Sequence, residues 1–502
     1  MSHSVFGTGR ARVCAVIATP RAHEFRKLVL LALKQTPTVE LRLDWLANDR
    51  ERRAALDWLK RVAPRNAEFI ATCRRRVGGG EFAGRAAEEL FWLMKAKEAG
   101  CAWCDLEIET VKELRSKLPQ GNPLPRKVML SIHDFRRTPV FTKKFRSHKD
   151  FAALKLAAMS RNLSDSARLL QQIANAKNVV AIPMGEVGLP GRILSLREGS
   201  ALAYAPMAAA TAPGQVPLDE FLSLYRAHEL TNKTRVYGVI GDPISHSLSP
   251  LLHNTGYVAA RRDAVFLPFL VENLREFLQI LPEFSIRGFS VTIPHKAKIV
   301  RHLDECDGLA EQIGAVNTVT VRPDGKLVGS NTDYLGVLRA LERKMQLKGS
   351  RVVIFGSGGA ARAAAFALAK ADVEVLICAR RESAAKQLAR AVRGTVLRRS
   401  ALRREKFDAL LNATPVGMHP HAASSPLHAS ELNCSLVLDL IYRPLHTKLL
   451  QFAAARGIRT VSGVEMFLAQ GIAQWELWMG SPAPEGAMRR AVLSALRGEK
   501  ER

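Results

Sequence analysis

Residues 351–381 read RVVIFGSGGAARAAAFALAKADVEVLICARR. An apolar run, a glycine loop, an alanine-rich segment and a second apolar run follow in order, which predicts strand, turn, helix and parallel strand. Gly356, Gly358 and Gly359 permit a tight turn and close backbone approach. With Ser357 and Ala360 they bring a helix N-terminus, with its unpaired N–H groups, to where a pyrophosphate binds. The glycines alone are a weak signal, but a strand before and a helix after make them a fairly specific one. A site for NAD normally carries an acid after the second strand to hold the ribose hydroxyls, and here stand Ala379, Arg380 and Arg381. Guanidiniums at that place favour a 2′-phosphate, so the expected cofactor is NADP (NADPH).

Upstream of this unit, RVYGVIGDP and GFSVTIP read as strands ending in turns, and VNTVTVRPDGKLVGSNTD as a hairpin around Asp324 and Gly325. The polar stretch YRAHELTNKTR (225–235) lies between periodic regions and reads as a helix end plus linker, placing a domain boundary near Leu230. Before it, eight short apolar runs begin near Val13, Val39, Phe69, Cys104, Lys127, Ala153, Val179 and Leu202. Amphipathic or polar stretches separate them, which predicts a (β/α)8 barrel with its chemistry at the carboxyl ends of the strands. At or near those ends stand Glu40, Arg42, Arg74, Asp105, Glu107, His133 and Lys155, with Arg192 and Gln215 in later loops. Convergence of acids, bases and an amine on one face points to an active site. The fold class is therefore α/β throughout.

A chain of 502 residues exceeds what one core organises, so two to three domains are expected. Hydrophobic residues at 47% and charged residues at 24% exclude a mainly disordered or fibrous chain. Lys plus Arg exceed Asp plus Glu by 27, which suits nucleic acid, an anionic membrane or small anionic substrates alike. Seven scattered cysteines give no disulfide framework and fit a reducing cytoplasm; Cys101 and Cys104 form a CxxC without a second ligand pair, so buried structural thiols are expected. No stretch is apolar enough to cross a bilayer, and MSHSVFGTGRARV lacks an apolar signal core.

Both halves resemble known families. VELRLDWL, FIATCR, CDLEIET, LSIHDFRRTP, LKLAAMS and ATAPGQ resemble type I 3-dehydroquinate dehydratase from Val13 to about Arg226, within a domain of residues 1–230. GDPISHSLSPLLHN, FSVTIPHK, IGAVNTV, GSNTDYLG, GSGGAAR, NATPVGM, DLIYRP and GVEMFLAQG resemble shikimate dehydrogenase over 231–502. In the second, 235–340 with about 463–502 would form the substrate lobe and 345–462 the Rossmann domain for NADP. The whole looks like the bifunctional enzyme of aromatic biosynthesis.

The first resemblance implies that Lys155 forms a Schiff base with the C3 ketone and that His133 shuttles the proton. Glu40, Arg42, Arg74, Arg192, Thr211 and Gln215 would surround the substrate, Arg192 clamping its carboxylate, with Asp105 and Glu107 as orienters. Nearby arginines would lower the affinity of the amine for its proton. Two departures stand out. Gly78 occupies a place where that family usually has a glutamate, which leaves open whether Glu81 supports His133, and 134–150 lacks an amphipathic pattern, predicting a reduced crossover. Lys143, Lys144 and Lys149 in that loop read as solvated charges.

The second resemblance implies catalysis by Lys296 and Asp333, a proton donor beside a carboxylate for the alkoxide that ketone reduction generates. Ser247 and Ser249 would bind the substrate carboxylate, and Thr292, Asn317, Tyr442 and Gln470 its ring and hydroxyls. Asn412, Thr414, Met418 and Gly463 would flank the cofactor. His246, His253 and His295 lack metal-site spacing, so no metal is expected. The partners are then 3-dehydroquinate, 3-dehydroshikimate and shikimate, with no specific nucleic acid and no membrane, and an oligomeric state open between monomer and homodimer.

Two alternatives compete. A dehydratase fused to a quinate/shikimate dehydrogenase of catabolism differs by little in substrate, and Arg380 with Arg381 bears on its cofactor. A basic nucleic-acid-binding regulator derived from these enzymes explains the charge, but no reading helix or zinc finger is recognisable and only 6% of residues are aromatic.

Overall fold

The computed structural model describes residues 5–62, 64, 66–114, 127–141, 151–174, 176–208 and 214–498. It divides into two compact units, Met1–Thr234 with Arg275–Phe284, and Arg235–Leu274 with Ser285–Arg502.

The first unit is built on eight strands: β1 (Val13–Ile17), β2 (Thr38–Arg42), β3 (Glu68–Thr72), β4 (Trp103–Glu107), β5 (Lys127–Asp134), β6 (Ala153–Met159), β7 (Val179–Met184) and β8 (Ala203–Pro206). They lie in the order β7-β6-β5-β4-β3-β2-β1-β8. Every ladder is parallel, as chains crossing over through helices require. Helices such as Ala22–Leu33, Asp49–Val62 and Ala86–Glu98 make those crossovers, and β1, β2 and β4 are buried at every residue. Between β7 and β8 the junction is narrowed by Ala201 N donating to Val179 O at 2.8 Å, so the barrel is nearly closed. Most of the crossover between β5 and β6, residues 142–150 with Lys143, Lys144 and Lys149, lies outside the described residues, as does Thr211.

The amino-terminal end of this barrel is filled. Phe6, Cys14, Ile70, Trp103, Met129, Ala153 and Val180 pack there as one apolar cluster, with Phe6 stacked on Trp103 at 4.4 Å. The candidate site residues stand in the carboxyl-terminal half of the strands, where the period-two alternation turns residues i and i+2 to the same face.

The second unit has two sheets. β9 (Arg235–Gly241), β10 (Ala264–Leu270), β11 (Ile286–Val291), β12 (Glu305–Cys306), β13 (Thr318–Val321) and β14 (Leu327–Ser330) form a mixed sheet ordered β10-β9-β11-β13-β14-β12. β13 and β14 are the antiparallel hairpin around Asp324 and Gly325. β15 (Arg351–Phe355), β16 (Glu374–Cys378), β17 (Thr395–Val396), β18 (Ala409–Asn412), β19 (Leu436–Asp439) and β20 (Arg459–Val461) form a parallel sheet ordered β17-β16-β15-β18-β19-β20. This is the doubly wound order of a dinucleotide-binding domain. Helix Gly463–Met479 is apolar on nearly all sides because it is buried on nearly all sides. Helix Asp333–Glu342 approaches it so closely at Gly336 that an added Cβ would lie 2.8 Å from Met466 O.

Candidate active sites

In the barrel, Glu40, Asp105, Lys155 and Tyr204 come from β2, β4, β6 and β8. Side chains of alternate strands share a layer in such barrels, and these four are mutually close. The Lys155 ammonium donates to the Asp105 carboxylate, lies 3.5 Å from Glu40 Oε1 and sits 4.5 Å above the Tyr204 ring. Ser131 Oγ also donates to Asp105, and Thr72 Oγ1 donates to Glu40 at 2.8 Å. Arg74 joins the groups above: its Nε donates to Glu107 at 2.6 Å and its Nη2 to Asp105 at 3.4 Å. Glu107 Oε2 lies 3.1 Å from His133 Nδ1. A continuous network thus runs Glu40, Lys155, Asp105, Arg74, Glu107, His133.

Burial works against ionising Asp105 and Glu107, yet Lys155 and Arg74 hold the first below its ordinary value, and Arg74 and His133 hold the second well below. Both stay carboxylates. Burial, with Arg74, lowers His133 from 6.5 against the pull of Glu107, so its imidazole is neutral at neutral pH. The expectation that arginines crowd the lysine is corrected: carboxylates are its immediate neighbours, and Arg74 stands one carboxylate away because Asp105 bridges the two.

The departure at Gly78 now has a geometry. A Cβ there would sit 3.2 Å from Glu107 Cγ, so the backbone packs on the carboxylate that serves His133. Glu81 donates its backbone N to Asp44 at 3.2 Å, and no hydrogen bond among the described residues links its carboxylate to His133. Gly79, at φ +78°, faces the Phe135 ring, which stacks on His133 at 5.8 Å.

Arg42 is engaged bidentately by Asp44 at 2.9 and 2.7 Å. Arg192 is buried, donates Nε to Pro183 O at 2.6 Å, and has no acid partner among the described residues. Burial lowers it to about 10, which leaves it cationic at neutral pH and in need of an anion. Gln215 is half-buried. Tyr204, Thr72 and Ser131 were not singled out from the sequence, although Thr72 and Ser131 stand two before Arg74 and His133.

In the second unit, Lys296 follows β11 and its Nζ meets Asp333 Oδ2 at 2.6 Å. Asp333 opens helix Asp333–Glu342, where the helix end favours an anion. Asn317 Nδ2 donates to Asp333 Oδ1 at 2.7 Å, and Gln470 Oε1 lies 3.5 Å from the same nitrogen. Ser249 begins helix Ser249–Ala259, and its N donates to Ser247 Oγ at 3.3 Å. Tyr442 stacks on Phe467 at 4.7 Å, and the Thr292 N donates to Ile240 O at 3.0 Å.

The glycine loop divides its labour. Gly356 has φ +132°, and a Cβ there would lie 2.9 Å from Ala413 O. Gly358 adopts ordinary angles and an added Cβ would meet nothing, which is the cradle a ligand needs rather than a demand of the fold. A Cβ on Gly359 would lie 3.7 Å from Lys296 Cδ, so the loop and the catalytic candidate adjoin. Ser357 and Ala360 are half-buried beside it. Arg380 and Arg381 are exposed, without an acid partner among the described residues. These features fit NADP.

Asn412 is fully buried; its Nδ2 donates to Asp439 at 2.9 Å, and Thr414 Oγ1 donates to it at 2.8 Å. It therefore shapes the turn leading to the exposed Met418. Asp439, raised by burial to about 6 against bonds from Thr447, Ile441 and Asn412, was not anticipated. Gly463 packs so near Leu440 that a Cβ would lie 2.4 Å from its carbonyl oxygen. Among the described residues no His, Cys, Asp or Glu gather as a metal site, and no helix is long and apolar enough to cross a membrane. Cys101 and Cys104 are buried thiols, Cys101 pushed up to about 12 by that burial.

Comparison with known proteins finds relatives of both halves. The type I 3-dehydroquinase family matches residues 13–232, the shikimate dehydrogenase substrate binding domain 239–319, and the shikimate 5′-dehydrogenase C-terminal domain 463–493. A chloroplastic bifunctional 3-dehydroquinate dehydratase/shikimate dehydrogenase of Arabidopsis thaliana is 33% identical over 94% of this chain and 80% of its own. A shikimate dehydrogenase (NADP(+)) of Bacillus cereus is 41% identical over 53% of this chain and 99% of its own. The crystal structure of a shikimate dehydrogenase in complex with NADP+ superposes with a TM-score of 0.51 at 36% identity, covering 53% of this chain and 97% of that one. With both matched domains in the same order as in the plant relative, the chain belongs to the bifunctional 3-dehydroquinate dehydratase/shikimate dehydrogenase family.

Proposed function

We propose that the barrel converts 3-dehydroquinate to 3-dehydroshikimate and that the second unit reduces this product to shikimate, consecutive steps of the shikimate pathway. The buried six-residue network, which holds an amine between two carboxylates and ends on a neutral imidazole, carries the first reading. Lys155, after passing its proton to Asp105 or Glu40, attacks the C3 carbonyl, and loss of water leaves an iminium. His133 takes the C2 proton, electrons flow toward the iminium nitrogen, and the same imidazolium protonates the departing C1 hydroxyl. Hydrolysis of the imine frees Lys155. Arg192, a buried cation without an acid partner among the described residues, binds the substrate carboxylate.

In the second unit, bound NADPH supplies a hydride to the C3 ketone. Lys296 donates the proton to the alkoxide that forms, and Asp333 holds and recharges it. Ser247 and Ser249 face the substrate carboxylate, while Asn317, Thr292, Tyr442 and Gln470 hold the ring. Gly358 lets the pyrophosphate approach the helix N-terminus, and Arg380 with Arg381 holds the 2′-phosphate. The seven free cysteines fit a reducing compartment such as the cytoplasm.

A single coupled assay tests both steps: the protein with 3-dehydroquinate and NADPH consumes the cofactor absorbance, and no consumption overturns the reading. Arg380→Asp is expected to raise the KM for NADPH about 10- to 100-fold while leaving that for NADH little changed. An unchanged preference would remove Arg380 from the phosphate site. Glu107→Gln is expected to lower the dehydratase kcat about 10- to 100-fold. Because the Glu107 charge raises the His133 proton affinity, its loss also moves the acidic limb of the rate profile to lower pH. A pH profile identical to the unmodified enzyme would show that Glu107 does not serve His133.

A further inference from the structure

Behind the Lys296–Asp333 pair runs a chain of buried hydrogen bonds that begins at Gln474, one turn beyond Gln470 in helix Gly463–Met479. Gln474 is 1% exposed and its amide is fully used. Its Oε1 accepts from Ser290 Oγ at 2.9 Å and lies 3.3 Å from His253 Nε2. Its Nε2 donates to Thr318 Oγ1 at 3.1 Å and to the Asn317 carbonyl at 3.3 Å. A backbone carbonyl only accepts, so the orientation of this amide is dictated by its partners. His253, stacked on Phe266 at 4.3 Å and fully buried, then carries its proton on Nε2, and burial holds it down to about 4, neutral over the working range.

Thr318 Oγ1, having accepted from Gln474, donates to Asn317 Oδ1 at 2.8 Å. That oxygen also accepts from the Thr332 backbone N at 2.7 Å, and the opposite end of the amide, Nδ2, donates to Asp333 Oδ1 at 2.7 Å. Every donor in the series points the same way, from Gln474 through Thr318 and Asn317 to Asp333, and aligned donors polarise one another. We propose that Gln474, acting through Thr318, is a positioning residue for the Lys296–Asp333 pair, setting which end of the Asn317 amide meets Asp333. The proposal rests on the reading of that pair as the proton-handling groups of the reductase. Without Gln474 the Thr318 hydroxyl is free to turn to Thr332, whose Oγ1 is 3.3 Å away, and Asn317 Oδ1 keeps only its bonds from Thr332, the backbone N at 2.7 Å and Oγ1 at 3.3 Å. A carboxylate whose N–H donor is loosened is more easily protonated.

The test uses the full chain with Gln474→Met, Thr318→Val and their combination, measured for reduction of 3-dehydroshikimate across pH, for NADPH binding by fluorescence and for dehydration. Gln474→Met is expected to lower the reductase kcat about 10-fold and to move its acidic limb to higher pH, with NADPH affinity and dehydration unchanged. The double variant is expected to be no slower than the slower single one, because both act on one path. An unmoved acidic limb, or losses that multiply in the double variant, would overturn the proposal. If Gln474→Met loses NADPH binding through misfolding, the near-isosteric Thr318→Val carries the same pH test alone. Lys296→Ala separates the two readings: reduction that survives it removes the catalytic pair itself, whereas its loss beside an unaffected Gln474→Met removes only the positioning role.

Discussion

Lys155→Ala abolishes dehydration, by at least about 10,000-fold, and leaves reduction of added 3-dehydroshikimate at its normal rate. That factor corresponds to about 5.5 kcal/mol of transition-state stabilisation, more than a neutral carbonyl and one imidazole recover without an iminium. No other lysine of the described barrel residues shares its setting between Asp105, Glu40 and the Tyr204 ring. The variant leaves Asp105 still bonded to Arg74 but takes the cation from Glu40, so an unfolding midpoint below that of the unmodified protein is expected at neutral pH. The direct check is borohydride reduction with 3-dehydroquinate followed by peptide mass analysis. An adduct on Lys155 is expected in the unmodified protein. Trapping elsewhere, or dehydration surviving the substitution, would end the Schiff-base assignment.

Lys296→Ala has the mirror-image result: reduction falls about 100- to 10,000-fold while dehydration is untouched. The size follows from removing the only ammonium bonded to Asp333 among the described residues, the group we propose meets a developing alkoxide. NADPH affinity is expected to stay nearly constant, because Gly359 contacts only the aliphatic part of that side chain. A large loss of NADPH binding with kcat preserved would instead make Lys296 a cofactor ligand. Two units in one chain make each variant its own control for concentration.

The barrel was legible because each strand is buried on both faces and announces itself as an apolar run, broken only where an inward polar residue is needed. Glu40, Arg74, Asp105, His133 and Lys155 were visible as those breaks. Thr72 and Ser131 were not, since a threonine or serine in a strand is unremarkable by composition; the rule that i and i+2 share a face, applied backward from Arg74 and His133, points to both. Tyr204 was hidden for another reason, as an aromatic in an apolar run looks like core, and half of it is. The consequence of Gly78 was illegible because it depends on Glu107, distant in sequence, reaching the same histidine. In the second unit Gln474 was not singled out; its inward role shows only when β11 and β13 pair, which brings Ser290 and Asn317, distant in sequence, to the two ends of its amide.

The apolar cluster around Phe6 and Trp103 bears on traffic as well as on stability. With that end of the barrel stoppered, the described residues leave the carboxyl-terminal end as the doorway to Lys155. Under the proposed Schiff-base chemistry dehydroquinate enters by it, the water released on imine formation and the water consumed on hydrolysis pass through it, and the product leaves by it. Under that chemistry substrate and product share one threshold, with Phe135 and the Arg76–Gly78 turn beside His133 and Glu107.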